Sequence, residues 1–183
     1  MRIIAGEYGS RRIIAPKGME TRPTLDKVRE AVFSTLGGFF DGESFLDLYA
    51  GSGANGLEAL SRGCGMAVFV DMSRNAIAAI NENITALGCA DRSRVLKMKD
   101  LKALSLLREE GKRFSLIYMD PPYAKQKNME ILGLLQEYGL LADGARVVIE
   151  SKAEDSFTQD IEDLRFIKSA QYGISRVTYY KKG

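Results

Sequence analysis

The chain has 183 residues, 45% hydrophobic and 27% charged, which is ordinary globular usage and excludes collagen-like, low-complexity and disordered classes. Its 26 basic and 24 acidic residues give a net charge of +2, too mild to indicate a nucleic-acid binder, while the absence of histidine excludes His-based triads and most catalytic zinc sites. With two cysteines, no expected secretory leader and no membrane-length apolar run, we expect a cytoplasmic protein without a membrane contact or a metal.

The N-terminal residues differ in pattern and charge from the rest of the chain. Two β-prone runs, at residues 2–5 and 11–15, flank a glycine-containing loop and predict a hairpin. Between residues 1 and 29, seven basic and three acidic residues give +4, which leaves −2 for the remainder. This charge fits either a polyanion partner or a solvated surface hairpin equally well. We assign residues 1–22 to a basic hairpin arm and residues 23–183 to the main domain.

The rest of the chain alternates between helical and strand-like patterns. Apolar spacing from Leu25 to Leu36 predicts a helix, with Thr24 as its candidate cap. The clearest later helix has a Ser73 cap and ends before Gly88. Strands are predicted at 44–49, 67–70, 95–98, 114–119 and 145–149, and an antiparallel terminal pair at 164–170 and 174–180.

This alternation is typical of βαβ units around a buried sheet. We therefore predict an α/β, doubly wound, mostly parallel seven-stranded sheet with an antiparallel C-terminal strand, plus the N-terminal β-hairpin. Ligands of such sheets bind beyond the carboxyl ends of the strands, so the residues that follow each strand are the candidates for a site.

A glycine-rich turn follows the first predicted strand. Gly51, Gly53 and Gly56 match G-x-G-x-x-G, and Asp71 follows at the spacing expected of an acid that binds a ribose diol. The pattern predicts a nucleoside cofactor. Asp47 would repel a pyrophosphate but attract an ammonium group, which favours S-adenosylmethionine over NAD, although its carboxylate could instead hold the loop.

A second motif, Asp120-Pro121-Pro122-Tyr123, follows the predicted strand at 114–119. Consecutive prolines end a strand, but they also fix the backbone and remove two N–H donors. The Asp120 carboxylate and the Pro121 carbonyl would then be acceptors beside the flat ring of Tyr123. This arrangement suits a planar substrate that carries an amino group.

Taken with the glycine loop, the motif resembles the signature of S-adenosylmethionine-dependent methyltransferases that act on amino groups. Nearly all of the chain up to residue 151 resembles the bacterial RsmD family of 16S rRNA (guanine-N2)-methyltransferases, which have the Rossmann-like class I methyltransferase fold. The motifs that carry the resemblance are Arg2 to Gly6, Gly9 to Arg12, Arg22 to Glu30, Ala50 to Gly53, Gly56 to Arg62 and Asp120 to Tyr123.

The resemblance implies roles for these residues. Asp120 and the Pro121 carbonyl would orient the guanine N2 amine, Pro122 would complete the catalytic motif, and Tyr123 would stack on a base removed from its RNA stack. Asp100 would contact the cofactor adenine, or instead cap the following helix. The implied cofactor-binding residues are Asp47, Ala50, Gly51, Gly53, Asp71, Met72, Asp100 and Leu101, and the implied rRNA phosphate contacts are Arg2, Arg11, Arg12, Arg22 and Arg29.

We expect a monomer whose partner is rRNA or the small ribosomal subunit. Adenine-N6 or protein glutamine methylation would use the same motif and is the nearest alternative. An NAD-dependent dehydrogenase is supported only by the glycine pattern. An RNA-binding module with a vestigial pocket is disfavoured by the complete Asp120 to Tyr123 motif.

Overall fold

The computed structural model describes residues 1–19, 23–122 and 125–183 of the chain. None of the helices in those ranges has the length and hydrophobicity needed to cross a membrane. The helices are α1 (Pro23–Thr35), α2 (Ala54–Ser61), α3 (Arg74–Leu87), α4 (Asp100–Glu109) and α5 (Lys125–Glu137). The strands are β1 (Ser44–Leu48), β2 (Met66–Asp71), β3 (Ser93–Lys97), β4 (Phe114–Met119), β5 (Leu141–Lys152), β6 (Leu164–Tyr172) and β7 (Ser175–Lys182).

Within the described ranges, these strands form one sheet of seven strands in the order β3-β2-β1-β4-β5-β7-β6. The first five pair in parallel, while β7 is antiparallel to both β5 and β6. The predicted fold, including the antiparallel C-terminal strand, is therefore confirmed. The strand order reverses between β1 and β4, so the carboxyl ends of these two strands are where a ligand is expected.

The predicted strand at 114–119 coincides with β4, but β5 is much longer than the predicted strand at 145–149. The pairing shows why: Phe114 lies opposite Leu141, whereas Leu116 lies opposite Arg146. Extra residues of β5, including Asp143 and Gly144, are inserted between these two pairs as a bulge. The bulge interrupts the apolar run, and the sequence pattern therefore revealed only the second part of the strand.

Both faces of the sheet are buried because adjacent residues of each central strand pack into different cores. In β1, Phe45 packs with α2 and α3, whereas Leu46 packs with α4 and α5. Both side chains are fully buried, and each contributes roughly 1.5–3 kcal/mol to folding. Helices on both faces leave only the strand ends free to form a site.

The N-terminal segment is a hairpin, but it is not a separate arm. A single antiparallel bridge joins Arg2 and Arg12, with no regular strands. The backbone amides of residues 4, 5, 7 and 8 instead donate to acceptors on Glu58 and Ser61 of α2, so they cannot form a strand ladder. The segment's apolar side chains belong to the core of the main domain, and the predicted boundary at residue 22 does not separate two cores. These buried side chains are Ile3, Tyr8 and Ile13.

Several predicted helix ends are present in the structure. The Ser73 hydroxyl accepts the Ala76 N–H at 3.4 Å, and Gly88 ends α3 in the left-handed conformation with φ 70°. Helix α1 begins at Pro23, whose fixed φ suits a first helical turn. The side chain of Thr24, the predicted cap, lies outside the described residues.

Candidate active site

A cavity of about 870 Å³ lies at the carboxyl ends of the parallel strands. Its wall brings together residues that are far apart in sequence but follow neighbouring strands, as the topology rule requires. The roles of these residues remain predictions, although their convergence is a property of the fold. The predicted site residues in the wall are Ala50, Gly51, Asp71, Met72, Asp100, Asp120, Pro121, Pro122 and Arg29.

Glycine stands at the three positions of the loop for different physical reasons. A Cβ at Gly56 would lie 2.3 Å from the Phe69 ring, so packing beneath the loop requires glycine there, whereas a Cβ at Gly53 would make a tight contact of 3.3 Å with the same ring at a left-handed φ of +80°. Neither residue lines the cavity. Gly51 has φ +57°, and a Cβ there would meet only the Met19 side chain at 3.9 Å, so its backbone is open to a ligand. Gly53, predicted to bind the cofactor, therefore acts through packing and loop shape.

Asp47 does not face the cavity, contrary to the prediction that it receives an ammonium group. It lies within β1 on the same face as Phe45, where its carboxylate is buried and accepts the Gly56 N–H at 2.9 Å. Burial raises its pKa to about 7, although the bond from Gly56 opposes this shift. The structure thus assigns Asp47 to holding the loop, which was the alternative interpretation of this residue.

Asp71 lies where a cofactor ribose is expected, at the end of β2 and in the cavity wall. Its carboxylate oxygens accept the Gly51 N–H and the Ser73 N–H, each at 2.9 Å. A carboxylate has about four acceptor sites, so roughly two remain for a diol. The Gly51 amide, which would cradle a phosphate in a dinucleotide site, is engaged by a negative group here. The loop therefore disfavours a pyrophosphate cofactor.

Asp100 forms a small network that the sequence did not reveal. Its carboxylate accepts the Tyr49 hydroxyl at 2.5 Å and contacts the Lys127 ammonium at 2.6 Å. Burial disfavours its charge, but the hydrogen bonds from Lys127 and Tyr49 outweigh burial and lower its pKa. Asp100 is the first residue of α4 rather than its cap, and it also accepts the adjacent Leu101 N–H. Little acceptor capacity is left for an adenine amine.

A second buried polar group was also missed. Asn128 of α5 lines the cavity with its side chain almost fully buried, and its Oδ1 has no hydrogen-bond partner among the described residues. An unpaired buried acceptor is costly, and a ligand N–H would satisfy it. Together with the free acceptor sites of Asp71 and the uncrowded space beside Gly51, Asn128 gives a cavity that fits S-adenosylmethionine, which carries an adenine amine, a ribose diol and no phosphate.

Asp120 lies at the end of β4, where its side chain opens into the cavity. Partial removal of water by the surrounding protein, with the negative charges of Glu150 and Asp47, raises its pKa to about 8. Glu150, which follows Ile149 on β5, accepts the Tyr118 hydroxyl at 2.8 Å. Sequence reasoning applied the strand-end rule to Asp120 but not to Glu150, although the same rule selects both.

The predicted RNA contacts differ in accessibility. Arg2, Arg11 and Arg12 are exposed on the N-terminal hairpin, where Arg2 donates to the Ser10 carbonyl at 2.8 Å and Arg11 donates to the Ala86 carbonyl. Arg22 and Tyr123 lie outside the described residues, so their predicted roles stay predictions.

Arg29 was predicted to contact rRNA phosphates, but its side chain is buried. Its side chain is only 3% exposed, and it pairs with Asp26 at 2.9 Å and Glu58 at 3.4 Å while donating to the Arg2 carbonyl. Glu58 is fully buried and also pairs with Arg62 at 2.7 Å. A buried carboxylate requires such partners, so Arg29 joins the N-terminal segment to α2.

Comparison with known proteins identifies a family model and relatives that match most of this chain. The family model described as Conserved hypothetical protein 95 matches residues 1–181. The Bacillus subtilis protein YlbH, provisionally named an rRNA methyltransferase, is 37% identical over 182 residues, which cover 100% of this chain and 99% of YlbH. Ribosomal RNA small subunit methyltransferase D of Escherichia coli is 36% identical over 155 residues, covering 85% of this chain and 76% of that protein.

Solved structures give the same result. An Escherichia coli structure provisionally named as the methyltransferase yhhF superimposes with a TM-score of 0.86 at 31% identity, covering 100% of this chain and 97% of its own. SMU.776, solved in complex with SAH, has a TM-score of 0.65 at 15% identity over 88% of this chain and 50% of its own, and it shares the fold alone.

The fold and the cavity, together with the family model and the relatives that are at least 30% identical, define an S-adenosylmethionine-dependent methyltransferase. The chain belongs to the Conserved hypothetical protein 95 family, which is the RsmD family that its motifs predicted.

Proposed function

We propose that this enzyme methylates the N2 amine of a guanine in small-subunit rRNA. The observation that carries the proposal is the pair of acceptors at the end of β4. Asp120 and Pro121 line the same cavity as the glycine loop, and neither Pro121 nor Pro122 has a backbone N–H that could donate a hydrogen bond. This corner accepts hydrogen bonds from an amine and is unsuited to a carbonyl substrate.

The acceptors suit the chemistry of an aromatic amine. The N2 lone pair of guanine is delocalised into the ring, so the nitrogen is a weak nucleophile. Hydrogen bonds from its two N–H groups to the Asp120 carboxylate and the Pro121 carbonyl would hold the nitrogen nearer to tetrahedral geometry, with its lone pair directed at the methyl donor. S-adenosylmethionine supplies an activated methyl group, and the protein contributes positioning.

The exposed N-terminal arginines support an RNA substrate. Arg2, Arg11 and Arg12 lie on one docked hairpin, and Met1 and Ala15 from the same segment line the cavity. Phosphate contacts on this hairpin would fix the position of the RNA without reading its sequence. The base itself would enter the cavity after leaving its stack, where Tyr123 is predicted to pack on it. We further propose that the enzyme acts as a monomer in the cytoplasm.

The test uses small-subunit rRNA and small subunits purified from cells that lack the gene. Each is incubated with the enzyme and with S-adenosylmethionine carrying a labelled methyl group, and the digested nucleosides are identified by mass. We expect N2-methylguanosine, formed with the wild type and not with Asp120→Ala. Labelled N6-methyladenosine, or label found only in ribosomal protein, would contradict the proposal.

A further inference from the structure

A recess of about 280 Å³ adjoins the cofactor cavity near the ends of β5 and β7. Its apolar walls include Leu25 and Val28 of α1 and Ile174 of the turn between β6 and β7, while Glu150 and Ser175 are among its polar groups. The same five residues also line the larger cavity, so the recess opens directly into it. Apolar walls around one carboxylate are suited to a flat base with polar atoms along one edge.

Glu150 is placed beside Asp120 by the register of the sheet. Met119 pairs with Ile149 across the parallel strands β4 and β5, so the residues that follow them are neighbours at the edge of the sheet. Adjacent strands lie about 4.8 Å apart, a distance that one base edge can span. The negative charge of Glu150 contributes to the raised pKa of Asp120, as expected of close carboxylates.

Neighbouring donors fix the Glu150 carboxylate. The fully buried Tyr118 donates its hydroxyl to Glu150 Oε2 at 2.8 Å, and Ser175 makes a second side-chain hydrogen bond to the same group. Burial raises the pKa of Glu150, and the two donors oppose this shift because they favour the ionised carboxylate, which offers a ligand only acceptor sites.

This acceptor distinguishes the two bases that an amino-methyltransferase motif could serve. In guanine the atom next to the reactive N2 amine is N1, which carries a hydrogen, whereas the N1 of adenine is a bare acceptor. Asp120 and the Pro121 carbonyl already account for both N2 hydrogens, which leaves N1–H as the third donor of the edge. A carboxylate there binds guanine and repels adenine, because two acceptors would face each other without a hydrogen.

We propose that the recess beside Glu150 receives the target base and that Glu150 selects guanine by accepting its N1–H. This inference rests on the proposed function and adds to it the residue that recognises the base. Leu25 and Ile174, whose side chains are exposed, form the apolar rim through which the base enters.

The test compares synthetic RNA hairpins that span the methylated position, which is first located by mass analysis of labelled rRNA fragments. One carries guanosine at the target position, and the other carries 2-aminopurine, which keeps the exocyclic amine but has no hydrogen on N1. We expect the wild type to prefer guanosine in kcat/KM by about 10- to 100-fold, the range for one hydrogen bond to a charged group. Glu150→Gln adds an amide donor, and it should reduce the preference by about 10-fold or more.

Two controls separate recognition from folding. Glu154→Gln changes an exposed glutamate on the same segment and should leave the preference unchanged. Affinity for S-adenosylmethionine, measured by calorimetry, should be the same in the Glu150→Gln enzyme and the wild type. Tyr118→Phe, which removes a donor to Glu150, should reduce the preference by about 3-fold and provides a second measurement if Glu150→Gln does not fold.

The experiment distinguishes failure of the proposed function from failure of the role assigned to Glu150. If the wild type forms no N2-methylguanosine in RNA, the proposed function fails and the inference fails with it. If the wild type does methylate guanosine, but Glu150→Gln slows both hairpins equally, the assignment of Glu150 is overturned while the proposed function stands. With Tyr118→Phe as the only folded variant, an unchanged preference overturns it in the same way.

Discussion

The Asp47 carboxylate accepts the Gly56 N–H at 2.9 Å, a contact that joins β1 to the first turn of α2. Because burial raises its pKa from 3.8 to about 7, folded Asp47 retains its proton at pH values where the unfolded chain has lost it. The contribution of Asp47 to stability is therefore full below pH 4 and decreases as the pH rises to about 7. Asp47 can therefore be tested by unfolding the protein alone, without RNA.

Asp47→Asn removes this titration and keeps an oxygen for the Gly56 amide. The free energy of unfolding of the variant, relative to the wild type, should rise between pH 4 and pH 8 by about 1.4 kcal/mol for each pKa unit by which Asp47 is shifted. Urea unfolding at several pH values measures it. Asp143→Asn, at an almost fully exposed aspartate, is the control. A difference that stays constant with pH would show that Asp47 is not shifted.

Asp71→Ala tests the cofactor site. The variant lacks the acceptors for a ribose diol and releases the Gly51 amide, so its affinity for S-adenosylmethionine should fall by roughly 1.5–3 kcal/mol. Isothermal calorimetry measures this decrease, with NAD as a second ligand that should not bind to either protein. Equal affinity of the wild type for NAD would contradict the assignment of the loop.

Arg11→Ala with Arg12→Ala tests the hairpin as an RNA-binding surface. If both side chains neutralise phosphates, the slope of log K against log salt should decrease by about 0.7–0.9 for each arginine removed. Lys112→Ala with Arg113→Ala is the matched control, because these exposed residues precede β4 at the edge opposite the cavity. Fluorescence anisotropy with a labelled rRNA fragment gives the slopes. Equal slopes in both double variants would mean that the arginines are only solvated.

Arg29→Ala should act on stability and not on phosphate binding. Its removal leaves the fully buried Glu58 with one fewer cation, a change that typically costs about 3–5 kcal/mol, and the remaining pair with Arg62 places the cost at the lower end. Denaturant unfolding measures this. An unchanged free energy of unfolding together with a weaker salt dependence would restore the prediction of a phosphate contact.

Asp120 should make the reaction depend on pH. Its pKa of about 8 means that the accepting carboxylate form becomes dominant only as the pH rises, so kcat/KM should increase with pH and level off above about 8. Asp120→Asn should be severely impaired and lose this rise, and Asp120→Ala should be nearly inactive with an unchanged affinity for the cofactor. Wild-type-like turnover by the Asp120→Ala enzyme would overturn the mechanism.

The regular part of the fold could be predicted from sequence because its signals are local. The strand at 114–119 and the Ser73 cap each depend on side chains within a few residues, and both are present as predicted. The directions of buried polar side chains depend on the whole fold. Asp47 and Arg29 were predicted to face ligands, but their pairing with Gly56 and Glu58 involves residues that are distant in sequence.

The cavity residues that were not predicted from the sequence differ in whether a sequence pattern could have indicated them. Glu150 directly follows the predicted strand at 145–149, as Asp120 follows the predicted strand at 114–119, so the rule already in use would have selected it. Tyr49 and Lys127 had no comparable signal. Their contacts with Asp100 depend on the left-handed backbone conformation of Tyr49 and on the position of α5, which comes from another part of the chain. Asn128 becomes notable only once its Oδ1 is seen to be buried without a partner among the described residues.

The attachment of the N-terminal hairpin to α2 has a consequence for the timing of folding. The amides of Ile4 and Ala5 bond to a carboxylate more than 50 positions later, and Glu7 pairs with Arg92 at 2.8 Å, 85 positions later. Contacts of such long range form only after the intervening chain has been synthesised and ordered. The nascent chain therefore carries Arg2, Arg11 and Arg12 on an undocked segment until Arg92 has been synthesised, and the surface that would hold rRNA is assembled only after β1, α2 and β2 have been made.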